Sequence, residues 1–287
     1  MEVKSLTDGM SLPASSAEAI WFVGCGNMAG AMVEGWRLAG TDLSRSVAIR
    51  PSGRPVEGLR TVRTLGEAGR QPDIVVLGFK PQMLDEVAPE VARWITADCV
   101  VVSILAGVEA ASLRERFPRA AAIVRAMPNI AVAVRRGVVP LYSADGSDEL
   151  RERMLRLFAP LGYVAWCASE AEFGAIGSVS GAGPAYIARY IAALAMAGET
   201  RGLDPAVALT VARETVFGAG WLAATTGESM DEIVRRVRSP NGTTEAGLKV
   251  LDAELPDLIE RTLAAAGRRS AELAAAARGI ASEPSPS

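Results

Sequence analysis

The stretch "IWFVGCGNMAGAM", residues 20–32, decides the fold. Ile20 to Val23 are apolar and read as a buried strand. Gly24-Cys25-Gly26-Asn27-Met28-Ala29 follows at once, and a helical pattern over 27–39 begins inside it. This is G-x-G-x-x-A between a strand and a helix, the setting that a dinucleotide-binding turn requires. Gly24 permits the tight turn, Gly26 lets backbone approach a pyrophosphate, and Ala29 is small enough for helix to pack on strand. Asn27 and Met28 then place their N–H groups at a helix N-terminus, where the dipole favours an anion.

The same rhythm continues outward. Apolar runs at 47–49, 73–79, 99–105, 121–127, 138–142 and 163–166 read as strands, separated by helical patterns at 82–93, 108–116 and 147–159. Such runs suit a sheet covered on both faces, and their alternation with helices predicts βαβ units. Residues 19–167 are therefore read as a Rossmann-like, doubly wound α/β domain. Past Ala168 the strand signals stop. Helical patterns run over 170–201, 205–225, 229–237, 244–253 and 256–278, so 168–280 is read as an all-α dimerisation and substrate domain. "LDPA" (203–206) and "LPD" (255–257) look like helix starts with Pro in the first turn. "YIARYIAALAMAGE" (186–199) is apolar nearly all round, which predicts a second copy of the chain packed against it. Residues 1–18 read as a disordered leader and 281–287 as a disordered tail.

Composition excludes several classes. The 287 residues carry a formal net charge of −3 with mixed signs, so no basic surface for nucleic acid is expected. No run of about 18 apolar residues points to a membrane span. Cys25, Cys99 and Cys167 lie far apart, without metal-ligand or disulfide spacing, which fits a reducing, cytoplasmic location and no metal. Histidine is absent, which removes His-based triads and His metal ligands. The chain has only three lysines, so Lys80 stands out.

The end of the second strand chooses the cofactor. An acid there would suit NAD, but "VAIRPSGRP" offers Arg50, Ser52 and Arg54. A guanidinium matches a 2′-phosphate bidentately, so NADPH is the expected cofactor, with NADH as an alternative. In "LGFKPQ" Lys80 and Pro81 open the next helix at the same sheet edge, where Lys80 faces ribose or phosphate, or is a plain surface lysine. "SILAGV" puts the small Ala106 and Gly107 where a bulky side chain would obstruct a cofactor. In "RAMPNI" Asn129 either donates to nicotinamide or ribose, or simply forms a turn with Pro128.

"SPNGTT" (239–244) sits before a helix. The N–H groups of Asn241, Gly242, Thr243 and Thr244 can converge there on a carboxylate. Alternatively Thr243 or Thr244 caps the helix, with Pro240 stiffening the turn.

Together these segments resemble the pyrroline-5-carboxylate reductase family. "FVGCGNMAGAM", "FKPQ", "VVSILAGV" and "RAMPNI" are similar to its cofactor-binding segments. "SGAGPAYIARYI" (180–191) resembles its S-G-S-G-P-A-Y, and "SPNGTTEAGL" (239–248) its S-P-G-G-T-T-x-A-G-L. The resemblance implies hydride transfer from NAD(P)H to the C=N bond of a cyclic imino acid, giving L-proline. It implies homodimers through the helical domains, in some members built into decamers. It assigns contact with the imine nitrogen to Thr244, with Ser239 and Thr243 shaping the pocket. The small Ser180, Gly181 and Gly183 leave room for the nicotinamide or for another backbone, as in helix–helix packing. Ile130, Ala131, Gly174, Gly177, Ala182, Ala192, Met196 and Asn241 depart from the family pattern. These departures leave room for an imine reductase of another ring size, or for an inactive NADP-binding sensor. A hydroxy-acid dehydrogenase of the 3-hydroxyisobutyrate type would carry a Lys on the helix that here spans 180–201, which has none.

Overall fold

The computed structural model describes residues 18–277. The leader before Glu18 and the tail after Ala277 lie outside the described residues. Eight strands among the described residues form one sheet in the order β3-β2-β1-β4-β5-β6-β7-β8. They are β1 (Ile20–Val23), β2 (Val47–Ile49), β3 (Arg60–Val62), β4 (Ile74–Leu77), β5 (Val100–Ser103), β6 (Ala122–Ala126), β7 (Gly137–Tyr142) and β8 (Gly162–Trp166). All pairings are parallel except β6 with β7. Phe22 of β1 pairs with Ala48 on one side and Val76 on the other. The chain order reverses at β1, so the crevice beyond its carboxyl end is the switch point where ligands bind in such sheets.

Helices α1 (Asn27–Leu38), α2 (Leu65–Ala68), α3 (Leu84–Ala92), α4 (Ala110–Arg116), α5 (Asp148–Phe158) and α6 (Glu170–Ser180) accompany the sheet. Alternate strand residues feed two cores. Phe22, Val76 and Val102 join Met32, Trp36 and Phe158 in one. Trp21, Val75 and Val101 join Val91, Leu113 and Phe117 in the other. Trp36 is held by its rings against Phe22 and Phe158, and its Nε1 donates to Leu157 O at 2.6 Å.

Two elements here escaped the sequence pattern. β3 is an edge strand in which only Val62 is buried, so it lacks an apolar run. The four-residue α2 is too short to show a period.

The second compact unit, residues 183–265, is helical: α7 (Gly183–Glu199), α8 (Pro205–Thr225), α9 (Met230–Val237) and α10 (Thr243–Ala277, which runs past its edge). Asp204 caps α8, accepting from Ala206 and Val207 N–H, with Pro205 in the first turn. Ser229 and Glu232 form a reciprocal capping box on α9.

By packing, α6 groups with the sheet through buried Phe173 and an Arg125–Glu170 ion pair of 3.0 Å, so the compact unit built on the sheet runs to Ala182. Two helix boundaries differ from the sequence reading. The helix expected over 170–201 is two, broken at Gly181-Ala182. Pro184 has no N–H to give to the carbonyl four residues back, that of Ser180, and this carbonyl accepts Asn129 Nδ2 instead at 3.0 Å. Conversely, Pro256 does not start a helix but lies inside α10. Its missing bond frees the Asp252 carbonyl, which sits in an exposed stretch of the helix.

Candidate functional site

The turn after β1 has the shape its glycines allow. Gly24 has φ +75°, and a Cβ there would lie 2.9 Å from Phe79. Gly24 N–H donates to Ile49 O and Gly78 N–H to Val23 O, both at 2.9 Å, which ties the turn to the neighbouring strands. Gly26 is the N-cap of α1 and supplies no side-chain cap. The N–H groups of Asn27, Met28 and Ala29 precede the first intrahelical bond, from Gly30 N–H to Gly26 O at 2.8 Å. A Cβ at Gly26 would project into open space over this helix end. Uncapped N–H groups under such a cradle fit the pyrophosphate of a dinucleotide.

A cleft of about 310 Å³ opens beside the turn, lined among others by Gly26, Asn27, Arg50 and Val56. Two acids, Glu34 and Glu57, also line it. Both face Arg37, at 2.8 and 3.7 Å, whose single charge balances one of the two, and Arg50 is the cation of the lining. Arg50 Nη1 donates to Arg54 O at 3.3 Å, and Arg54 N–H to Ser52 Oγ at 3.3 Å, so the three predicted residues share one turn. Gly53, at φ +64°, lets the Arg63 guanidinium lie along this turn, where a Cβ would stand 2.9 Å from Arg63 Nε. Arg63 was not anticipated, because it follows the unread strand β3. Cys25 lines the cleft, and burial pushes its thiol up to about 11 against the opposing charge of Arg50.

The other strand ends share this edge. Lys80 is exposed and precedes a 3-10 turn with Pro81 at its start. Ala106 is exposed, and Gly107 takes φ +74°. Asn129, read from sequence either as a donor to nicotinamide or ribose or as a turn former with Pro128, is held by its side chain. It is buried, its Nδ2 donates to Ser180 O at 3.0 Å, and its Oδ1 accepts Val138 N–H at 3.3 Å. These bonds tie the β6–β7 connection to the end of α6, so Asn129 and Ser180 meet each other and leave one Nδ2 hydrogen uncommitted. The Ser180 hydroxyl donates to Ile176 O at 2.9 Å. Gly177 makes room for Met127, whose thioether a Cβ would overlap.

Residues 239–244 belong to the helical unit. Gly242 N–H donates to Ser239 O at 3.0 Å, closing a turn. A Cβ at Gly242 would overlap Ser239 Oγ. Asn241 is left-handed, at φ 58°, so it adopts the conformation for which a glycine is suited. Its N–H donates to Glu245 Oε2 at 2.7 Å. The four converging N–H groups expected from sequence are therefore two. Those of Asn241 and Gly242 are engaged within the loop. Those of Thr243 and Thr244 precede the first α10 bond, from Ala246 N–H to Gly242 O at 3.2 Å. Glu245 was overlooked because its pairing spans the helix start rather than one face of a helix.

Comparison with known proteins bears on both units. Residues 170–273 match the family described as pyrroline-5-carboxylate reductase dimerisation, and residues 19–107 the family described as NADP oxidoreductase, coenzyme F420-dependent. The chain is 36% identical over 267 residues to a pyrroline-5-carboxylate reductase of Pseudomonas aeruginosa, covering 90% of this chain and 98% of that protein. A solved pyrroline-5-carboxylate reductase of Coxiella burnetii is 32% identical, with a TM-score of 0.82 over 90% of this chain and 99% of its own. The Plasmodium falciparum pyrroline carboxylate reductase, solved with NADP bound, is 22% identical and shares the fold, with a TM-score of 0.78 over 88% and 97% of the two chains.

Proposed function

The chain belongs to the pyrroline-5-carboxylate reductase family, and we propose that residues 239–244 hold the substrate of that reaction, 1-pyrroline-5-carboxylate, while its C=N bond is reduced to give L-proline. NAD(P)H, when bound, supplies the hydride. Gly24, Gly26, Asn27 and Met28 would hold its pyrophosphate, with Lys80, Pro81, Ala106 and Gly107 along the same strand ends. Arg50 and Ser52, joined by Arg54 and Arg63, would take the 2′-phosphate, which makes NADPH the preferred form.

The observation that carries the reading is the loop before α10. Its turn is closed internally, which leaves Thr243 and Thr244 N–H at a helix N-terminus for the substrate carboxylate. The Thr244 hydroxyl can donate and accept, so it can follow the ring nitrogen as that nitrogen changes from iminium to amine. A protonated imine already carries the charge that draws hydride, so the absence of histidine is no obstacle.

The chain forms oligomers, as its dimerisation region implies. A homodimer through the helical units, extended to a decamer in the larger assembly the family resemblance implies, is the arrangement we propose. Among the described residues no helix is long and apolar enough to cross a membrane. Three buried free cysteines support a cytoplasmic location.

The test is NADPH oxidation with and without 1-pyrroline-5-carboxylate. Substrate-dependent turnover is expected, and its absence would remove the proposed activity. Thr244→Ala is expected to lower kcat about a hundredfold, the scale of losing one donor to the reacting group, with NADPH affinity unchanged. An unchanged kcat would remove Thr244 from the chemistry.

A further inference from the structure

The left-handed backbone at Asn241 raises the question of what holds it, since asparagine reaches this region less freely than glycine. The bond from Asn241 N–H to Glu245 Oε2, at 2.7 Å, supplies the answer. With Thr243 as the first residue of α10, Gly242 is the N-cap and Glu245 the third helical residue. In an ordinary capping box that carboxylate would accept the N-cap N–H. Here Gly242 N–H is engaged by Ser239 O at 3.0 Å, and the carboxylate reaches one residue further back. The helix dipole favours an anion in this turn. The clasp from 241 to 245 encloses Thr243 and Thr244.

We propose that Glu245 is a positioning residue for substrate binding: by accepting the Asn241 N–H it fixes the left-handed backbone there, and with it the direction of the Thr243 and Thr244 N–H groups. It touches no reacting atom. Asn241 and Glu245 act as a pair, doing together what a glycine at 241 does alone. The proposal rests on reading residues 239–244 as the substrate loop, and its test separates the two.

The experiment is steady-state kinetics of the full chain, with 1-pyrroline-5-carboxylate and NADPH varied in turn. Glu245→Ala is expected to raise KM for the imino acid roughly tenfold, the scale of a bond to a charged group. KM for NADPH should stay within about twofold, as for an independent site. Glu245→Gln keeps an acceptor oxygen and should keep KM for the imino acid within about threefold of the parent. In an Asn241→Gly background, Glu245→Ala should shift that KM less than about threefold, because glycine does not need the clasp. Equal rises in the Asn and Gly backgrounds would overturn the pairing. So would an unchanged KM in Glu245→Ala while Thr244→Ala loses turnover. If both Thr244→Ala and Glu245→Ala leave the kinetics unaltered, the substrate-loop reading falls and the pairing with it. Should Glu245→Ala alone fail to fold, the pairing requires Asn241→Gly/Glu245→Ala to fold with normal circular dichroism, and failure of both overturns it.

Discussion

In the sheet unit Trp36 is fully covered, whereas in the helical unit Phe217 is 66% exposed. The contrast runs through both regions. β1, β4 and β5 are buried along their whole length, and α1, α3 and α5 close cores on the two faces. α7 and α8 share only a small buried cluster, Ala195, Ala208 and Ala212. Gly198 brings the two helices close, since a Cβ there would lie 3.4 Å from that of Ala208. Ile187, Tyr190, Val207, Val211, Leu258 and Ile259 stay exposed. The sheet unit gathers most of its large apolar side chains into two cores, with exceptions such as Val134 and Val179 left exposed. The helical unit has only a small buried cluster and leaves large apolar side chains of α7, α8 and α10 exposed, the pattern of a surface completed by another copy.

Two substitutions set this contrast against a measurement. Trp36→Ala should destabilise by about 3–5 kcal/mol, from a cavity that neighbours fill only in part. The loss should appear as a lower melting temperature at every protein concentration. Phe217→Asp should instead weaken assembly, making the melting temperature depend on concentration and lowering the mass seen by sedimentation. A Phe217→Asp protein that keeps its assembly would break the contrast.

The same contrast governed what could be read in the sequence. The buried strands announce themselves as continuous apolar runs, and Gly24 and Gly26 mark the turn between strand and helix. β3 gave no such run, and Arg63 was hidden with it. The break after Ser180 was hidden because the partner of its carbonyl, Asn129, lies far away in sequence. At 239–244 the motif located the loop, but not how it is held. Which N–H groups stay free depends on Ser239 O and Glu245 Oε2, and these are properties of backbone direction rather than residue type. Pattern reading finds where chemistry-bearing residues gather. It does not tell which of their polar groups are already engaged.

The thiols sharpen the contrast further, since Cys25, Cys99 and Cys167 all lie buried in the sheet unit. Burial pushes Cys25 to about 11 and Cys99 to about 12, and it raises Cys167 as well. Thiolate is the reactive form. A rise from 9.0 to about 11 lowers the thiolate of Cys25 at pH 8 about a hundredfold. Native protein should therefore react with a disulfide reagent much more slowly than denatured protein, through low thiolate content and burial together, and Phe217→Asp should not change this. Fast labelling in Phe217→Asp would show that the sheet unit depends on assembly after all. The sign for stability follows from the same shifts. Protonated thiols belong to the folded state, so their contribution is intact below pH 9, the ordinary thiol value, and is lost as pH rises through about 11 and 12.

The smallest expected effect concerns the cofactor, which the proposed reading assigns to the sheet unit. Arg50 lines the cleft beside the α1 N-terminus, and Arg37 faces the two acids there, Glu34 and Glu57. Arg50→Ala should raise KM for NADPH roughly tenfold, the scale of a charge-assisted bond to phosphate, because NADPH alone carries the 2′-phosphate. KM for NADH should change little, and so should KM for the imino acid and the sedimentation behaviour. Thr244→Ala should give the opposite pattern, with turnover lost and cofactor affinity kept. If Arg50→Ala affected both cofactors equally, the guanidinium would be serving the pyrophosphate turn rather than the 2′ position. Arg54 and Arg63, which share the turn closed by Gly53, would then be the next groups to substitute.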